Sequence, residues 1–322
     1  MELRAKRNST IDALKFVFSL CIIGVHINLF QDISTPVFRT LTQALFRIGV
    51  PFYFIVSGYY FASKLENRER SAQWLKRLLK IYLVFEILDI VLTALVPRIA
   101  WPVSYVILRF FTTGINRIYW YLVSLILTCF LCRGLWQKGY TFDLICAGLF
   151  LYLITMTYDS YSFLFGNTFM AEVGEAHTTV WAWPQAGFGE SILFLSLGVY
   201  LRQKKPEVRH LNLLLCVSLA LLVMEGSFCQ SRGGADANCY FSLIPASVFL
   251  FLFTQRRPDL LKIPQAGELS LYIYMIHIYF SYVSLAVSQN TIIRFLFISV
   301  LSCITAALIV KTRNRKTIQK QG

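Results

Sequence analysis

Two side chains of one apolar run, Lys15 and His26, have the types and spacing that most directly suggest chemistry. On a helix, eleven steps of about 100° make three turns plus roughly 20°, so both fall on one face, about 16 Å apart along the axis. An ammonium near a membrane surface can hold an anion while an imidazole deeper in the bundle accepts a proton, since its reference pKa is about 6.5. Structural work accounts for them too: Lys15 can snorkel beside Asp12, and His26 can bond a neighbouring helix. Arg77 and Lys80, three apart at another helix edge, suit phosphates but equally serve as positive-inside anchors. Further along that helix Glu86 and Asp89 either neutralise a buried base, line an aqueous cavity or pair structurally. His277, inside LSLYIYMIHIY, is explained by catalysis or by bundle hydrogen bonding.

Glu190 and Glu225 fall near outer helix ends, where exposure is cheap; His210, in a basic inner loop, needs no special explanation. An outer loop at 157–187 holds Asp159, Glu172, Glu175 and His177 and no Lys or Arg. Such a loop either covers a site or is simply solvated. Cys129 and Cys132 have CxxC spacing within an apolar helix and read as packing. Cys229 and Cys239 share one short loop expected to face outside, where a disulfide can persist. No GxSxG, Walker A, HExxH or Rossmann glycine pattern occurs, so ATP hydrolysis, a dinucleotide and a catalytic metal are not expected.

The elements that must position these residues follow from composition. Of 322 residues, 56% are hydrophobic and only 15% charged, and mean hydropathy is +0.57. That is more apolar surface than water-soluble cores can hide, and it comes in blocks long enough to cross a bilayer. We read ten: 11–30, 44–61, 78–96, 118–132, 142–156, 188–201, 211–224, 240–253, 269–287 and 292–310. The stretch 101–111, short and interrupted by Arg109, is expected flat in the interface, with an eleventh span as the alternative. Most of the 31 Lys and Arg fall in alternate inter-block segments, which puts both termini in the cytoplasm. The net charge of +14 therefore reads as membrane orientation, not as a nucleic-acid face. The first block is too long for a cleaved signal peptide and is read as a retained helix. The expected fold is an all-α, polytopic integral membrane helix bundle: one transmembrane domain over 1–310 and a basic cytoplasmic tail over 311–322.

Four segments, in order, resemble the acyltransferase 3 family of integral membrane acyltransferases. RNSTIDALKFVFSLCIIGVH carries the family's basic residue and His as Lys15 and His26; FRIGVPFYFIVSGYYF places Ser57, Gly58 and Tyr59 on its SGY/SGF element. LKRLLKIY supplies an Arg-x-x-Arg-like pair as Arg77 and Lys80, and ELSLYIYMIHIY is similar to the late Ser-Leu-x-x-Tyr-x-x-His signature ending at His277. YWYLVSLIL, TYDSYSFLFG, SLGVYLRQKK and VMEGSF are similar to the membrane half of vancomycin-resistance serine racemases. No Lys-bearing racemase barrel is present, so racemisation is not expected.

The resemblance implies an O-acyltransferase in a bacterial-type plasma membrane with acyl-CoA, acetyl-CoA foremost, as co-substrate and no tightly bound cofactor. Lys15, Arg77 and Lys80 would meet the CoA phosphates, and His26 would act as base or acyl carrier. Supporting candidates are Ser57, which bonds the acyl oxygen or permits close helix packing, with Glu86 and His277. Asp159 and Glu225 stand on the side of the acceptor, an envelope glycan or small hydroxylated molecule. The likeness to the racemases implies an alternative, transport of serine or another small solute without acyl transfer.

Overall fold

The computed structural model describes residues 8–95, 103–115, 118–166, 168–170, 172–174, 176, 188–233 and 238–319. Its principal helices are α1 (Ser9–His26), α2 (Gly49–Ala62), α3 (Arg68–Leu95), α4 (Val103–Thr112), α5 (Trp120–Gln137), α6 (Thr141–Tyr158), α7 (Phe188–Lys204), α8 (Leu211–Ser231), α9 (Leu243–Arg256), α10 (Ala266–Val287) and α11 (Thr291–Gln319). Among the described residues there is no strand. Each of the ten apolar blocks overlaps one of these helices.

Helix α3 shows the solvent this chain is built for. Ser71, Tyr82, Glu86 and Asp89 are buried along one face, while Val84, Ile87, Leu88 and Val91 are exposed, Ile87 at 59%. Polar groups inside and branched aliphatics outside reverse the arrangement water imposes and match the one lipid requires. On α11 the outward stripe is Ile293, Leu296, Val300, Ile304 and Leu308, spaced three or four apart, while Ile298, Ser302 and Ala306 are buried. Seven helical stretches are long and apolar enough to cross a membrane: Ser9–His26, Thr35–Ala62, Trp120–Gln137, Thr141–Tyr158, Leu211–Ser231, Ala266–Val287 and Thr291–Arg315. The protein is an all-α, polytopic membrane helix bundle.

Segment 103–112 is a helix that turns Arg109 inward, 5% exposed, donating from Nη1 to Thr113 Oγ1 at 3.2 Å, while Ile107 and Phe111 face outward. A guanidinium is too costly to leave against lipid, so α4 turns its cation into the protein. The tail assigned to 311–322 begins as helix, since α11 continues through Gln319.

The chain divides into two compact units, the first of Met1–Gly49, His210–Ser227 and Pro245–Gly322, the second of Val50–Arg209 and Phe228–Ile244. In the first, α1 packs against α10 and α11. Its start is fixed by Asn8, whose side chain accepts from Ile11 N at 3.0 Å and donates to Thr254 O at 2.9 Å. Thr10 Oγ1 donates to Arg257 O and accepts from Leu260 N. In the second, α6 and α7 pack together, and α2 lies backbone to backbone on α7. A Cβ on Gly58 would strike the Leu195 carbonyl, and one on Gly198 would strike Ile55 O and Tyr59 N. Only glycine allows that approach.

Candidate functional site

His26 is the last residue of α1, and the chain beyond it reverses at once. Asn28 and Phe30 take positive φ of 52° and 72°, Leu29 N donates to Gly24 O at 2.9 Å, and Thr42 Oγ1 donates to Leu29 O at 2.6 Å. Asp32, at the far side of the reversal, accepts from Thr291 N at 3.0 Å and from the Thr291 hydroxyl. The imidazole is therefore held at the end of a pinned helix. It is exposed, and no described hydrogen bond occupies its nitrogens.

Behind it stands His277, from the middle of α10, fully buried. The two rings stack with centroids 5.3 Å apart and 24° between planes. His277 Nδ1 lies 2.8 Å from Tyr274 O and 3.2 Å from Ile273 O. Carbonyl oxygens only accept, so Nδ1 carries the proton and Nε2 keeps its lone pair. That Nε2 is buried with no hydrogen-bond partner among the described residues. The pair is thus one accessible imidazole backed by a second of fixed tautomer. Arg47 lies within electrostatic reach of His26, its Nη2 donating to Gln43 Oε1 at 2.6 Å. A fixed cation beside an accessible imidazole suits a reaction in which a base works while negative charge grows nearby.

Sequence reasoning did not single out Arg47. Its signal was an arginine inside the apolar block at 44–61, where a charge is expensive without a task.

The other predicted residues are distributed as follows. Lys15 is half-buried on α1, in the first unit with His26. Arg77 and Lys80 are exposed on α3 in the second unit. Ser57 Oγ is 3.2 Å from Tyr121 Oη, a polar contact that helix packing alone does not need. Glu86 accepts from Ile115 N at 3.3 Å through each carboxylate oxygen, so it orders the turn after α4. Asp159, 2% exposed, accepts from Asn238 N at 2.7 Å, Cys239 N at 2.8 Å and Ser160 Oγ at 3.1 Å. It works as the anchor of the segment leading into α9. Glu225 is half-buried on α8. Glu172 is exposed, whereas Glu175 and His177 lie outside the described residues. Cys229 and Cys239, the expected bridge partners, are both fully buried in the second unit. The Asp159 contact fixes the Cys239 backbone. Among the described residues no cluster of His, Cys, Asp or Glu could hold a metal ion.

A family model described as an acyltransferase domain matches residues 8–311. The chain belongs to the acyltransferase 3 family. The family indicates acyltransferase-type activity and, with the helices above, a multi-pass membrane protein. The acyltransferase 3 chain is similar to an amino-acid racemase of Enterococcus faecalis, 24% identical over 98% of this chain and 48% of the relative. It is likewise similar to a serine/alanine racemase of Enterococcus gallinarum, 26% identical over 92% of this chain and 45% of the relative. The chain spans about half the length of these curated relatives. No solved structure matches it.

Proposed function

We propose that this protein moves an acyl group, with acetyl the expected chain, from cytoplasmic acyl-CoA to a hydroxyl of an envelope glycan or other small acceptor. The observation that carries this is the accessible His26 ring stacked on a buried His277 of fixed tautomer. His26 takes the proton of the acceptor hydroxyl as its oxygen attacks the thioester carbonyl. The C–S bond breaks, and the departing CoA thiolate receives that proton. Arg47 supplies positive charge for the oxyanion. Lys15, Arg77 and Lys80 are the cations we assign to CoA phosphates, and Glu225 remains the acceptor-side residue. Asp159 leaves that role to Glu225, because its carboxylate is engaged by two backbone N–H groups.

The test is incorporation of label from acetyl-CoA by purified protein in liposomes, with Lys15→Gln, Arg77→Gln and Lys80→Gln each expected to weaken CoA binding. The racemase relatives support a second reading, uptake of serine or a similar solute without covalent chemistry. Gradient-dependent uptake that needs no CoA and survives His26→Ala would establish the second and remove the first.

A further inference from the structure

The close approach of α2 and α7 in the second unit has an effect one turn beyond Gly198. It brings Arg202 onto Tyr59, with the guanidinium carbon 5.0 Å from the ring centroid and Nη1 donating to Tyr59 Oη at 3.2 Å. Tyr60 meets Tyr59 edge to face at 5.6 Å. The carbonyl of Tyr60 accepts from Lys64 Nζ at 2.9 Å. Both cations are half-buried, and both are gripped by the same tyrosine pair. Among the described residues neither makes an ion pair with a carboxylate; Glu66, two residues beyond Lys64, is exposed.

Like charges gathered on one support cost free energy unless an anion shares them. Burial, and then the Arg202 charge, pull the Lys64 ammonium below its usual range. Lys64 spends one of three N–H donors on Tyr60, and Arg202 one of five on Tyr59. The rest are free to converge on oxygens. The Gly58 and Gly198 contacts hold the two helices in register, so the arrangement is built rather than an accident of mobile surface side chains.

We propose that Lys64 and Arg202, seated on the Tyr59–Tyr60 pair, form a phosphate subsite. Its ligand is a phosphate ester, either of the acyl donor's nucleotide or of an anionic lipid headgroup. Only the first source rests on the acyl-CoA reading above.

The experiment follows thermal unfolding of the purified full chain in neutral detergent as inorganic pyrophosphate is added. The wild type is expected to be protected, with half-saturation raised about tenfold or more by Lys64→Gln or Arg202→Gln. Arg202→Lys, which keeps a point charge and loses the fork, is expected to fall between. No protection of the wild type, or equal half-saturation in variants that melt normally without the probe, overturns the subsite. If Arg202→Gln does not fold, Lys64→Gln and Arg202→Lys carry the test, and unchanged half-saturation in both overturns it. Competition by desulfo-coenzyme A assigns the phosphate to the donor. Competition by phosphatidylglycerol alone assigns it to lipid and leaves the subsite standing. Failure of the acyl-transfer reading registers separately, as wild-type protein that binds pyrophosphate but transfers no label.

Discussion

Removing His26 and removing His277 should have very different consequences, and the stack sets the size of each. His26→Ala deletes an exposed ring with no described hydrogen bond, so stability should change little. Loss of a positioned acid-base group should slow acyl transfer about 10²- to 10⁴-fold. His277→Ala deletes a buried ring whose service to His26 is the stack at 5.3 Å and 24°. An aromatic pair contributes about 0.5–1.5 kcal/mol beyond area burial. If all of it orients His26, the rate falls only about 2- to 13-fold at 1.36 kcal/mol per decade. His277→Phe keeps a ring and removes the buried, unpartnered Nε2, so it should fold and turn over close to wild type. The assay is acetyl transfer from labelled acetyl-CoA by variants in liposomes, with thermal unfolding alongside and the double variant included. Once His26 is gone, His277→Ala should add almost nothing. A folded His277→Phe protein that loses as much activity as His26→Ala would refute the shelf role and place a proton on His277 during the reaction. Near-normal turnover by His26→Ala would refute the mechanism entirely.

Arg47→Gln should lower turnover by about tenfold or more while leaving CoA affinity unchanged, a difference resolved by measuring kcat and KM separately; a change in KM alone would contradict the oxyanion role. Asp159→Ala removes an acceptor from two backbone N–H groups and should destabilise the second unit by about 2–4 kcal/mol, read as a lowered unfolding midpoint. Gly114→Ala should also destabilise, by about 1–3 kcal/mol, because φ at that residue is +76° and a Cβ would meet Glu86 Oε1; its unfolding midpoint in detergent is the check.

The helices were legible because lipid imposes a simple rule: a block of apolar residues must satisfy its own backbone, and only helix does so within one segment. Thus α1, α10 and α11 lie where hydropathy alone puts them. Helix α4 was the least legible, because 101–111 is short and carries Arg109. The sequence cannot say whether such a cation goes to the interface or into the protein. That depends on Thr113 and on the neighbouring helices, which only folding brings near. The reversal after His26 was also hidden, since Phe30 is not a residue that announces positive φ, although Asn28 is of a type that readily takes it.

Site residues were legible to the degree that each is expensive in lipid. Lys15, His26, Glu86 and His277 announce themselves by cost, but cost does not separate duties. Glu86 and Asp159 are as buried as His277, yet each accepts from backbone N–H groups and orders a turn. His277 uses Nδ1 on its own helix and presents the rest of its ring to another imidazole. The distinguishing feature is therefore where the lone pairs go, and that is a property of partners far apart in sequence: 238 and 239 for Asp159, 115 for Glu86, 26 for His277. Spacing within one helix could bring Lys15 and His26 to a common face. It could not show that the ring paired with His26 lies about 250 residues downstream, as the stack with His277 does.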